Sequence, residues 1–248
     1  IPAKIGTFLG DDMFSQFAKS ELIKSGTQYE IFESTNYPLN VTSAIITSTD
    51  RTFVSYGGTE TYSDQMLEKI YNTLKGAKVV AMQEKIIPVY KELKKDGTIL
   101  VLDTGYSDDM SFEKHKELIE VADYYTPNID ETEKLTGTRD YKEALKILGE
   151  YFEKPIVKLG KEGCAGYDND YFVVENIDEF KCIDATGAGD AFLSGFIYGL
   201  YNDFDFRKCI LAGNITGGKC VTGVGCLTEY IAKDGIKDYL EKYQYLIK

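Results

Sequence analysis

The chain has 248 residues, enough for one large α/β domain or two small ones with an ample core. Forty acidic against 28 basic side chains leave a net charge of −12, which repels nucleic acid and anionic membrane, so neither is expected as a partner. No apolar run is long enough to span a bilayer and no leader pattern is visible, so the expected setting is the cytoplasm.

In chain order, Ile5–Leu9 reads as a short buried strand and Gly10-Asp11-Asp12 as its turn. Met13 to Ser25 has helical spacing, with Phe14, Phe17, Leu22 and Ile23 on one face and Gly26 closing it. From Thr27 to Tyr56 the pattern is β, carried by Tyr29, Ile31, Val41, Ile45, Ile46, Phe53 and Val54, with Thr49-Asp50-Arg51 as a hairpin turn. That block is rich in Thr and Tyr and poor in aliphatics, as expected of a small sheet outside the main core.

From Thr61 onward helices and strands alternate. A helix over Ser63–Leu74 leads to the strand Lys78–Met82, and one over Pro88–Lys95 leads to Thr98–Leu102. A helix at Phe112–Val121 leads to Tyr124–Tyr125, and helices at Asp130–Leu135 and Tyr141–Tyr151 lead to the strand Pro155–Leu159. More β is expected at Tyr171–Val174 and Glu179–Cys182, then helices at Asp190–Tyr201, Phe206–Thr222 and Ile231–Tyr245. Short aliphatic strands between amphipathic helices predict one α/β domain with a mostly parallel sheet covered on both faces and a small β appendage. In such sheets ligands bind beyond the carboxyl ends of the strands.

Cys164, Cys182, Cys209, Cys220 and Cys226 are odd in number and show no C-x-x-C, and with one histidine they cannot assemble a convincing zinc site. They read as buried or neutral thiols of a reducing cytosol. His115 stands between Lys114 and Lys116 and is expected on a solvated helix face.

The most informative stretch is Asp184-Ala185-Thr186-Gly187-Ala188-Gly189-Asp190, which runs into the apolar segment Ala191–Phe196. A glycine-rich turn entering a helix leaves the amides of Gly187, Ala188 and Gly189 unpaired at the positive end of the helix dipole, which is an anion site. A carboxylate there repels an anion, so Asp190 is better suited to take a proton from a group about to attack it. Asn128 and Glu131, just after a strand, have the spacing of a capping box. After the next strand Gly160 and Gly163 allow close backbone approach to a nucleotide, and Lys158 and Lys161 add positive charge. A dinucleotide-binding fold is disfavoured, because Gly187-Ala188-Gly189 lacks the third glycine and the acidic residue about twenty positions on.

The heptapeptide ending at Asp190 resembles the C-terminal signature of the ribokinase-like (PfkB) carbohydrate kinases, with Ala185 where Thr or Ser is usual. Gly10-Asp11-Asp12, Gln83-Glu84, the strand end at Asp103 and the order of the later motifs extend the likeness along the chain. The resemblance implies a three-layer αβα sandwich with a mostly parallel sheet and a small β lid, here about residues 27–56 of a single kinase domain over 1–248. It implies ATP and Mg²⁺, with Asn128 facing the nucleotide phosphates, Glu131 ordering magnesium through water, Asn214 on the nucleotide side and Asp103 toward the acceptor. A potassium site at Asp184 and the Thr186 carbonyl is implied too, and a homodimer through the lid. Lys158 stands where the family often has Thr.

The implied activity is phosphorylation of a hydroxymethyl group on a sugar or sugar derivative, with Asp190 as base. A nucleoside acceptor and a non-catalytic, kinase-like binding protein are the alternatives. In the family a strand and a glycine-rich acceptor-contacting segment precede the position of Ile1, so these residues are expected to bind nucleotide better than they phosphorylate sugar.

Overall fold

A computed structural model describes residues 1–32, 39–46, 51–57, 62–232 and 235–248. The chain divides into two compact units, Pro2–Lys75 and Gly76–Lys248, the latter with Ile1.

In the smaller unit β1 (Lys4–Phe8) leads to α1 (Met13–Ser25) and β2 (Gln28–Phe32). Asp12 caps α1 by accepting from the amides of Phe14 and Ser15, and Gly26 ends it at a left-handed φ of 68°. β1 and β2 pair in parallel from Lys4↔Gln28 to Phe8↔Phe32. β3 (Val41–Ile46) and β4 (Arg51–Tyr56) form an antiparallel hairpin, and α2 (Asp64–Leu74) follows with Ser63 as its cap.

Two expectations change here. Residues 28–32 belong to the β1 ladder, so the separate antiparallel element is confined to 41–56; Thr49 and Asp50 of the expected turn lie outside the described residues. The inward stripe of α1 is Ser15, Ala18 and Leu22, whereas Phe14, Phe17 and Ile23 are 48%, 66% and 61% exposed. Small residues at that spacing let the helix approach closely, which a row of phenylalanines would prevent.

The larger unit begins with β5 (Val79–Ala81), α3 (Ile87–Lys95), β6 (Ile99–Leu102), α4 (Lys116–Val121) and β7 (Tyr124–Tyr125). The three strands form a parallel sheet in the order β5-β6-β7. After α5 (Ile129–Thr136) and α6 (Tyr141–Leu148), β8 (Ile156–Lys158) continues that ladder through a parallel bridge between Asn128 and Lys158. β9 (Cys164–Asp168) and β10 (Asp170–Val174) extend it antiparallel in the order β8-β9-β10. Leu100, Val101, Leu102, Ile156 and Val157 are all buried, the continuous apolar run expected of strands covered on both faces.

α7 (Ala188–Tyr201), α8 (Phe206–Cys220) and α9 (Ile236–Tyr243) complete the unit. α7 and α8 are in close contact because Gly195 gives way to Thr216 and the Ala212 carbonyl, while Gly213 gives way to the Phe192 ring. The small residues of α8 thus have a packing role.

Three further expectations are corrected. Glu179–Cys182 is not a strand: residues 178–180 form a turn, closed by the Phe180 amide on the Ile177 carbonyl. α4 starts at Lys116, because the preceding segment is a turn in which the His115 amide donates to Ser111. His115 is buried, only 4% exposed, with its Nδ1 3.0 Å from the Ser111 carbonyl oxygen. Its flanking lysines are exposed while the imidazole is buried, so charged sequence neighbours do not place this side chain at the surface. Of the cysteines, Cys164, Cys209 and Cys220 are buried and Cys182 and Cys226 exposed. Burial pushes the Cys209 thiol up to about 12 and also raises Cys164, so both are neutral. Among the described residues no helix is long and apolar enough to cross a membrane.

Candidate active site

Every sequence-predicted site residue lies within Gly76–Lys248, most of them close to a strand end or helix start and Asn214 in the middle of α8. α7 begins at Gly187, which has φ 81° and no side-chain cap. A Cβ there would lie 2.7 Å from Cys226 Cβ and 2.9 Å from its Sγ, so this turn requires glycine on conformation and on space. Asp184 fixes the turn from the other side. Its Oδ1 accepts from the Thr186 amide at 2.9 Å and the Thr186 hydroxyl at 2.7 Å, and its Oδ2 accepts from the Gly225 amide at 2.9 Å. Asp184 and Thr186 thereby tie the start of α7 to the loop after α8.

The expected row of three free amides is reduced by one. The Ala188 N–H donates to the Ala185 carbonyl at 3.3 Å, closing the turn on itself. Among the described residues the amides of Gly187, Gly189 and Asp190 have no intramolecular acceptor. Asp190 is exposed in the first turn of α7, and its carboxylate makes no hydrogen bond or ion pair among the described residues. The arrangement offers anion-binding amides beside an unengaged carboxylate.

At the start of α5 the capping box is complete. Asn128 Oδ1 accepts from the Asp130 and Glu131 amides at 2.9 and 3.0 Å, and Glu131 Oε2 accepts from the Asn128 amide at 2.8 Å. Glu131 is only 3% exposed. Burial raises its pKa above the usual 4.5, against the Asn128 amide and the Lys158 charge, which pull it down. Its second oxygen, Oε1, has no hydrogen bond among the described residues.

Lys158 ends β8 and is buried. Its main-chain N–H donates to the Pro127 carbonyl at 2.8 Å, which brings β8 alongside the Asn128 turn. Its ammonium donates to Asp103 Oδ2 at 2.9 Å and lies 5.9 Å from the Phe192 ring centroid. Asp103 Oδ2 also accepts from the Thr126 hydroxyl at 3.1 Å. Asp103, placed toward an acceptor from the sequence, is thus engaged by Lys158. Thr126 went unnoticed in the sequence; its signal was a polar residue directly after a strand, and it is fully buried here.

The remaining nucleotide-side residues divide. Gly160 has φ 60° and open space where a side chain would stand. The close approach at Gly163 is to the chain itself, since a Cβ would lie 2.1 Å from the Val174 carbonyl oxygen. Asn214 is buried with its amide nitrogen donating to the Val174 and Glu175 carbonyls at 2.7 and 3.3 Å, so that group braces α8 against the end of β10. Among the described residues no group of three or more His, Cys, Asp and Glu is placed to hold a metal ion.

An "Uncharacterized sugar kinase" of Archaeoglobus fulgidus is 31% identical over 144 residues, 58% of this chain and 55% of the relative. A "Nucleoside kinase" of Methanocaldococcus jannaschii is 30% identical over 132 residues, 52% of this chain and 42% of the relative. The chain spans about half the length of the curated relatives it matches. Among solved structures, a putative ribokinase II of E. coli in complex with ATP and Mg²⁺ superposes with a TM-score of 0.80 at 23% identity, covering 98% of this chain and 84% of that one. The fold is therefore ribokinase-like, the α/β architecture expected from the sequence. The profile of the pfkB family carbohydrate kinases matches residues 1–232, and the chain belongs to that family.

Proposed function

We propose that this chain transfers the γ-phosphoryl group of ATP to a hydroxymethyl group of a sugar or sugar derivative. The observation that carries the reading is the start of α7, where the amides of Gly187 and Gly189 are free beside the unengaged carboxylate of Asp190. The acceptor oxygen attacks the γ-phosphorus and gives its proton to Asp190. The bond from that phosphorus to the β-phosphate oxygen breaks, and its electron pair leaves on ADP. Amides aimed at the phosphoryl oxygens stabilise charge that grows during transfer.

Glu131 and Asn128 would hold the water shell of Mg²⁺, which neutralises ATP phosphate charge. The buried carboxylate with one oxygen unengaged fits that role, since magnesium keeps most of its waters and needs few protein ligands. Gly160 borders the nucleotide in this reading, and Asp184 with the Thr186 carbonyl would hold a potassium ion. Residues 1–248 act as one kinase domain in this reading, with the antiparallel β3–β4 pair as its small β lid. A nucleoside acceptor is the second reading, supported by the Methanocaldococcus jannaschii relative.

The test is ATP turnover against ribose, 5-dehydro-2-deoxygluconate, fructose 6-phosphate, adenosine and cytidine, with Asp190→Asn in parallel. At least one acceptor should be phosphorylated. The variant should lose about 10²–10⁴-fold in kcat with nucleotide affinity little changed, because the amide keeps the shape and cannot accept the proton. Near-wild-type turnover by Asp190→Asn would remove Asp190 from the role of base, and no turnover on any acceptor would remove the kinase reading.

A further inference from the structure

We infer that Lys158 is a cationic contact for the transferring phosphoryl group and that Asp103 is the residue that positions it. The inference rests on the kinase reading and assigns Asp103 a different task from acceptor binding.

Lys158 is 9% exposed, and its ammonium lies 3.4 Å from where a Cβ on Gly189 would stand. Gly189 is the second residue of α7, and its amide has no intramolecular acceptor among the described residues. A buried cation therefore faces the positive end of a helix.

For stability alone this is a poor arrangement. Cations are disfavoured at helix N-termini by about 0.3–1 kcal/mol, and an ammonium loses much of its hydration on burial. Asp103 offsets the burial without removing the opposition between amine and dipole. The geometry becomes favourable when a multiply charged anion lies between them, drawing on both the amides and the amine.

Gly189 supplies a second, independent argument. Its φ is not left-handed, so the backbone does not require glycine there, and glycine costs about 1 kcal/mol relative to alanine within a helix. The missing side chain leaves room directly in front of the Lys158 ammonium. An ammonium has three donors; Asp103 Oδ2 takes one, leaving two for phosphoryl oxygens.

The orientation of the amine is set by Asp103. The same Oδ2 that accepts from Lys158 accepts the Thr126 hydroxyl, so the carboxylate is held from the segment after the neighbouring strand. In this role Lys158 acts on the oxygens of the γ-phosphoryl as the bond to the β-phosphate breaks.

The experiment is a double-mutant cycle on the acceptor with the highest rate in the panel above. Lys158→Met should lower kcat by about 10²–10³-fold, the effect of losing one preorganised group aimed at the transition state, with the acceptor KM within about threefold of wild type. Lys158→Arg should recover part of the loss. Asp103→Asn should lower kcat in the wild-type background and do nothing further in Lys158→Met, because a residue acting through another loses its effect when that residue is gone.

Lys158→Met leaves the half-buried Asp103 carboxylate without its cationic partner, so the Lys158→Met/Asp103→Asn double variant, which removes both charges, is the folded control. Its kcat should be about 10²-fold or more below wild type with a cooperative thermal transition retained. Unchanged kcat in Lys158→Met or in the double variant overturns the inference and leaves the kinase reading intact. An Asp103→Asn effect of equal size in both backgrounds, with a raised acceptor KM, overturns the positioning role and returns Asp103 to the acceptor. Absence of turnover by the wild-type chain overturns the kinase reading and the inference with it.

Discussion

The two compact units bury their apolar side chains to very different degrees. In Gly76–Lys248 the strands and the α7–α8 pair enclose a core in which Ile156, Phe196, Ile210 and Ile215 have no exposure, and Phe196 sits edge-on to Tyr124 and Phe206. In Pro2–Lys75 the buried apolar side chains among the described residues are Leu9, Phe32 and Ile70, while Met13, Phe17, Ile23, Ile45 and Val54 are more than half exposed. All the candidate site residues belong to the first unit. Chemistry that depends on ångström placement is located where packing is dense, and a sparsely buried region has less holding it in one conformation.

The sharpest way to break this contrast is a matched pair of truncations. Phe196→Ala should cost about 3–5 kcal/mol in denaturant unfolding, the usual cost of emptying a dense aromatic site. Phe17→Ala, at an exposed position on α1, should stay within about 0.5 kcal/mol. Equal losses would mean that the smaller unit is held by Phe17 packing, and the contrast would fall.

Two glycines sharpen it next. Gly163 has φ 97° and the Val174 carbonyl oxygen where a Cβ would go, so Gly163→Ala should lose about 1–3 kcal/mol from the backbone alone and more from displacement of β10. Gly26, at φ 68° with nothing within 4 Å, carries only the left-handed penalty, and Gly26→Ala should cost about 1–2 kcal/mol. Thermal melts of the two variants measure the difference, and a larger loss at Gly26 would contradict it.

The smallest effect is expected at Glu131. Because burial raises its pKa, the native state keeps this proton to higher pH than the unfolded chain does. Its contribution to stability is therefore greatest below the usual value of 4.5 and declines as pH rises through the raised value. Glu131→Gln keeps the cap and removes that decline, so its melting temperature should gain on the wild type as pH rises. It should also raise the Mg²⁺ concentration needed for half-maximal turnover. A pH-independent gap would mean that the buried carboxyl titrates normally.

Helix starts with a side-chain cap and the parallel strands were legible because their signals are local. Asp12, Ser63, Asn128 and Asp140 all cap the helices that follow them, and Leu100–Leu102 reads as a strand from apolarity alone. β9 was missed because Cys-Ala-Gly-Tyr-Asp has neither alternation nor branched side chains; its strand form comes from pairing with β8 and β10 on either side. Within the site, the signature ending at Asp190 and the Asn128–Glu131 box could be read from spacing. The Lys158–Asp103 pair could not, because its members are 55 positions apart and meet only through the order of the strands.

One consequence follows from where Lys158 sits on its strand. Its amide is bonded to Pro127, it bridges Asn128, and it stands opposite Cys164 in the pairing with β9. Side chains alternate along a strand, so sliding β8 by a single residue would present Val157 or Leu159 to Asp103 and turn the ammonium to the opposite face. The Pro127 bond and the Asn128 bridge hold that alignment on one side, and the pairing with β9 holds it on the other. A one-residue slip of β8 would erase the charged contact with every site residue unchanged in identity, so in this chain strand register carries as much functional information as the motif letters do.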